Sequence, residues 1–128
     1  MPVRYAHTNL VARDWRALAR FYQEVFDCVP VSTERDHRGE LFQALTAIPN
    51  AHARGRHLLL PGHGPNGPTL EIFQFDPQSL EDGKPLDRPG FAHIAFEVDD
   101  VETKRAEVLA WGGQDLGRMV ALEIPGAG

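Results

Sequence analysis

At 128 residues the chain has room for one domain with a hydrophobic core, or for two very small ones. Apolar residues make up 42% and charged residues 24%, and a net charge of −5 leaves no basic footprint for nucleic acid or an anionic membrane surface. The one cysteine, Cys28, excludes an internal disulfide framework, and "MPVRYAHTNL" lacks the apolar run of a signal peptide or membrane span, so a soluble cytoplasmic domain is expected.

In chain order, "YAHTNLVARD" alternates with period two and predicts a strand. Ala6, Thr8, Leu10 and Ala12 form its small or apolar face, and Tyr5, His7, Asn9 and Val11 its mixed face. Asp14 is a good N-cap for a helix in which Trp15, Leu18, Ala19, Tyr22 and Phe26 recur at helical spacing. "VPVSTER" and "GELFQALT" read as strands on either side of a polar turn at Asp36 to Gly39. "RGRHLLLP" reads as a further strand, "PGHGPNGP" as a loop, and "TLEIFQF" as a strong strand. In that last strand Leu70, Ile72 and Gln74 share one face, with Glu71, Phe73 and Phe75 on the other.

The polar stretch "DPQSLEDGKPLDRPG" reads as a linker, after which the pattern starts again. "FAHIAFEVDD" repeats the phrase of the first strand, with His93 lying 86 residues after His7 and Asp100 matching Asp14. Ala92, Ile94, Phe96 and Val98 would face a helix, and Phe91, His93, Ala95 and Glu97 the other side. "VETKRAEVLAWGG" then predicts a second helix stopped at Gly112. The first half thus reads β-α-β-β-β and the second begins again as β-α-β, a repeated unit of class α+β. The first module spans residues 1–76, a linker residues 77–89, and the second module residues 90–128, incomplete at its C-terminus or completed by a partner chain.

A carboxylate flanked by bulky apolar side chains, as Glu71 is, calls for an edge position, an ion pair or a bound cation. Taken alone, a histidine on a strand is more often a hydrogen-bonded structural residue than a ligand, and it is the repeat that brings the metal reading level with it. If the two halves share a cavity, His7, Glu71 and His93 meet, and two imidazoles with a carboxylate suit a divalent ion such as zinc, nickel, iron, cobalt or manganese. His37, His52, His57 and His63 show no tight ligand spacing and read as solvated or structural; Cys28 reads as packing.

"YAHTNLVARDWRALARFYQEVF", "TLEIFQF" and "GFAHIAFEVDDVETKRAEVLAWGG" together resemble the vicinal oxygen chelate superfamily, which includes glyoxalase I, epimerases, extradiol dioxygenases and bleomycin-binding proteins. "G-F-x-H-I-A-F-x-V-D-D" is the most specific part. The resemblance implies paired βαβββ modules whose curved mixed sheets enclose a cavity, with His7, Glu71 and His93 as ligands of a divalent metal; Glu71 is then a candidate for the proton-transferring base, and a glutamate at the fourth ligand place is an equal one. The mixed strand faces, with Asn9, Val11, Phe73, Phe75, Ala95 and Glu97, would line a pocket for a small oxygenated substrate; members of the superfamily are commonly dimers, so a homodimer is expected, exchange of elements being one way to cover an incomplete second sheet. A fourth ligand would fall beyond Gly128, with Glu123 too early in the module to replace it.

The positions of the glutathione anchors in glyoxalase I carry Val11, Phe75 and Pro89 here, so a glutathione-dependent enzyme is not expected. Isomerase, epimerase or lyase chemistry fits a ligand at Glu71 best. A bleomycin-type binding protein is the first alternative, and an extradiol-type dioxygenase, which leaves the Glu71 place without a ligand, the second.

Overall fold

Asp14 separates the first strand from the first helix. In the computed structural model, which describes residues 3–121, its side chain accepts a hydrogen bond from the Ala17 amide and caps α1 (Trp15–Phe26) directly after β1 (His7–Val11). The helix ends at Asp27, which turns the chain in the left-handed conformation at φ 56°. β2 (Val29–Pro30) and β3 (Arg35–His37) are short, and β4 (Ala53–Leu59) and β5 (Thr69–Phe75) are the long strands.

"ELFQALT", expected as a strand, is the helix α2 (Glu40–Thr46). Its residues include good helix formers, and Phe42 stacks on His37 and Phe75 while Leu41 and Leu45 point to solvent. The loop between β4 and β5 closes through Leu60 N–H donating to the Pro68 carbonyl and Gly67 N–H to the Gly64 carbonyl.

The strands form one mixed sheet in the order β1-β5-β4-β2, with β3 also on β4. β1 and β5 run parallel; the remaining pairs are antiparallel. Because side chains alternate across a strand, one face of the sheet carries Leu10, Leu58, Leu70 and Ile72, and α1 lies on it with Trp15 and Ala19. Leu58 and Ile72 are completely buried, and such side chains each contribute about 1.5–3 kcal/mol. The opposite face is left to the site.

The chain divides into two compact units, residues 1–97 and 98–128. The segment expected as a linker, 77–89, has no regular element. Arg13 binds its first part, donating from Nη1 to Gln78 Oε1 and the Ser79 carbonyl and from Nη2 to the Glu81 carbonyl and Asp82. Residues 91–98, expected as a strand, form no regular element and have no ladder partner among the described residues. A strand needs a neighbour for its amides and carbonyls, and none of the described residues forms a ladder with it. The segment packs instead through Phe96, which stacks on Phe26 of α1 at 4.2 Å between ring centres.

In the second unit Asp100 caps α3 (Val101–Ala110), accepting from the Thr103 amide, and that bond holds its carboxyl below the usual carboxylate range. Gly112 follows the helix at φ 96°, as the sequence predicts. This unit contributes no strand among the described residues. No helix among them is long and apolar enough to cross a membrane.

Candidate functional site

The face of the sheet opposite α1 is organised in rows by the strand register. Asn9 of β1, Glu71 of β5 and His57 of β4 are direct cross-strand neighbours and form a polar row. One step along the strands, Val11, Phe73 and Gly55 form an apolar row. His7 stands one step the other way, beside Thr69.

Glu71 is the centre of the polar row, with its side chain 15% exposed. His57 Nε2 lies 2.6 Å from Oε2, Asn9 Nδ2 donates to Oε1 at 2.9 Å, and His7 Nε2 is 3.7 Å from Oε1. The two imidazoles meet edge to face at 5.5 Å. On its far side the His57 ring bonds Thr69 Oγ1 through Nδ1 at 3.0 Å. Each member is on the open face because each occupies the alternation phase opposite to Leu10, Leu58 or Ile72.

Beside the row, Gly55 leaves the space that Phe73 fills: a Cβ there would lie 2.8 Å from a Phe73 ring carbon. Phe73 is buried, its ring 5.5 Å from that of His37, which stacks in turn on Phe42. Val11 and Phe75 then border a cleft of about 480 Å³ that continues to Ile48, Pro77 and Gln78. A polar row with a carboxylate, an apolar shelf and an adjoining cleft can hold a small molecule with a polar head and an apolar body.

Of the residues expected at the site, His7, Asn9 and Glu71 are brought into contact, and Val11, Phe73 and Phe75 lie on the same face. His93 does not join them: it is exposed and makes no hydrogen bond or ion pair with the described residues. Ala95 and Glu97 border a second cleft of about 490 Å³ together with Thr8 and Leu70, which belong to the α1 face. The missing ladder accounts for both, since Phe96 anchors the segment on α1, away from Glu71. Glu123 lies outside the described residues.

Among the described residues no three His, Cys, Asp or Glu side chains are disposed to hold a metal ion. His7 and Glu71 are two suitable donors, but one carboxylate oxygen lies 2.6 Å from His57 Nε2, and His93 supplies no third arm. The residues in place therefore do not fit a complete metal centre.

His57 is the site residue that sequence reasoning missed. Its signal was the alternation of "ARGRHLL" set against "TLEIFQF": pairing the two strands across the "PGHGPNGP" loop puts His57 opposite Glu71. The other histidines stay outside the site, His52 on Asp36 at 2.7 Å and His37 against Phe42.

The sequence profile of the Glyoxalase/Bleomycin resistance protein/Dioxygenase superfamily matches residues 4–119. Among solved structures, the chain is similar to a glyoxalase family protein from Bacillus cereus, at 17% identity and a TM-score of 0.80 over 96% of this chain and 81% of that one. It is also similar to a mutant of the genomically encoded fosfomycin resistance protein FosX from Listeria monocytogenes, complexed with Mn(II) and 1S,2S-dihydroxypropylphosphonic acid. That match has 18% identity and a TM-score of 0.50, over 88% of this chain and 71% of that one. No curated protein sequence matches the chain. With the profile spanning nearly all of its length, the chain belongs to the Glyoxalase/Bleomycin resistance protein/Dioxygenase superfamily.

Proposed function

We propose that this protein is an isomerase-, epimerase- or lyase-type enzyme acting on a small substrate with two adjacent oxygens, and that Glu71 is its proton-transferring base. The observation that carries the reading is the setting of Glu71, a largely buried carboxylate on an open sheet face, oriented by His57, Asn9 and His7 beside an apolar shelf. A carboxylate so placed is oriented before substrate arrives. It takes a proton from the carbon next to a carbonyl, the C–H electron pair becomes the enolate double bond, and return of the proton completes epimerisation or isomerisation. Asn9 and His7, on the Oε1 side, border the place where the substrate oxygens would lie.

The superfamily uses divalent ions, and the FosX complex with Mn(II) supports that expectation for this chain. Among the described residues His7 and Glu71 supply two donors toward zinc, nickel, manganese, iron or cobalt, short of the complete centre such an ion needs, so the proton transfer proposed for Glu71 is not routed through a metal. The reading includes a cytoplasmic homodimer. A non-catalytic binding protein is the second reading, favoured by the separation of His93 from the His7–Glu71 pair.

Elemental analysis of the untagged protein, beside His7→Ala, Glu71→Gln and His93→Ala, tests the metal. Exchange of the hydroxyacetone α-protons in D2O tests the base. Exchange that Glu71→Gln abolishes is expected, and about one divalent ion per chain, lost in the variants, would show that a third donor completes the site. No metal after supplying all five ions, and no exchange, would replace the enzyme by the binding protein.

A further inference from the structure

We infer that His57 is a positioning residue that fixes which oxygen of Glu71 does the work; the inference rests on the reading of Glu71 as the base. The two oxygens of Glu71 are treated differently. Oε2 is held by His57 Nε2 at 2.6 Å, while Oε1 receives Asn9 at 2.9 Å and faces His7 at 3.7 Å. Oε1 is thus presented to the His7 side, and Oε2 is withheld.

The hold is rigid because the imidazole is fixed at both nitrogens. Thr69 and Glu71 lie two residues apart on one face of β5, and the His57 ring spans them, Nδ1 on Thr69 and Nε2 on Glu71. Nδ1 shares a hydrogen bond with the Thr69 hydroxyl and Nε2 lies in close contact with Oε2, so both ring nitrogens have a partner. Turning the ring would lose both contacts, and swinging Glu71 would lose the shorter one. His57 itself comes from β4 at the position opposite Glu71, where the ladder of the two long strands holds its backbone. The ring packs edge to face against His7, which closes the arrangement on the substrate side.

The test uses the full chain, with wild type, His57→Ala, His57→Gln, Thr69→Val, Glu71→Gln and Glu71→Ala. Hydroxyacetone α-proton exchange in D2O is followed as kcat and KM. Misplacing a base by about 1 Å costs on the order of a hundredfold, so His57→Ala is expected to lower kcat about 10- to 100-fold with KM within about twofold. His57→Gln, whose amide N–H can still donate to Oε2, is expected to recover most of the loss, and Thr69→Val to cause a smaller one.

The second arm needs no substrate. Nitrogen-15 NMR of the histidines is expected to show a slowly exchanging His57 Nε2 proton, lost in Glu71→Ala. Exchange that depends on Glu71 but is unchanged in His57→Ala, or not rescued by Gln, would overturn the positioning role and leave the proposed function standing. Exchange indifferent to Glu71→Gln, or absent throughout, would remove the proposed function and with it the base that His57 is inferred to position. A Nε2 proton that persists in Glu71→Ala would overturn the clamp whatever the exchange shows.

Discussion

His57 and Glu71 face each other from neighbouring antiparallel strands, and their side chains meet at 2.6 Å. Neither is a surface ion pair, with side chains 21% and 15% exposed, so the pair has thermodynamic consequences apart from any reaction. Removing one partner leaves the other short of a bond in a place that water reaches poorly. His57→Leu is therefore expected to lower stability by about 1–3 kcal/mol. Glu71→Gln keeps an acceptor and a similar shape, and is expected to stay within about 1 kcal/mol of wild type. Urea unfolding of the two variants checks the asymmetry, and equal losses would show that the pair is not what holds this part of the face.

Gly55 is where the fold and the site make the same demand. A Cβ on it would lie 1.8 Å from the Ile72 carbonyl oxygen, which is backbone in the neighbouring strand, and 2.8 Å from the Phe73 ring. A flexible side chain could yield; a strand held in a ladder on both sides yields only by spreading β4 from β5. Gly55→Ala is expected to cost about 3 kcal/mol or more and to displace Phe73, read as a lowered midpoint of thermal unfolding and shifted aromatic resonances.

The first unit was legible wherever alternation met a strong core partner. "TLEIFQF" showed both faces, since Leu70 and Ile72 are buried beneath α1 and Glu71 and Phe73 lie opposite. Asp14 and Asp100 announced their helices by the capping rule that the structure follows. Other features depend on pairing rather than on composition. "GELFQALT" turned helical because only Phe42 has a surface to pack on, and residues 91–98 read as a strand but have no ladder among the described residues. His57 was hidden because a histidine in an apolar strand shows its role only when the register of the neighbouring strand is known.

The start of α1 has a second support that capping alone does not supply. Gln74 Oε1 accepts the Trp15 amide at 3.0 Å, so one of the helix's unpaired first-turn amides is satisfied from β5. Gln74→Leu removes that acceptor while Trp15 stays buried, and is expected to cost about 1–2 kcal/mol in chemical unfolding. Gln74→Glu retains an acceptor there and is expected to keep most of that stability. A Leu variant as stable as wild type would show that the amide finds another partner.

Cys28 gives a pH-dependent outcome with a definite sign. Burial beneath α1, reinforced by the Asp27 carboxylate, pushes its thiol up to about 11 from an ordinary value of 9.0. In the unfolded chain the thiol loses its proton near the ordinary value, whereas in the folded chain it keeps it until about 11. Folding therefore favours the protonated form. The stabilisation is complete below the ordinary value and is lost as pH rises through the folded one. Tyr22, also raised chiefly by burial, acts in the same direction. Between those limits stability should fall with pH, and less steeply in Cys28→Ala, which keeps the Tyr22 contribution. Under native conditions near pH 8 the thiol should resist alkylation until the protein unfolds. Rapid native alkylation, or identical pH slopes for the two proteins, would mean that Cys28 is not held neutral by its burial.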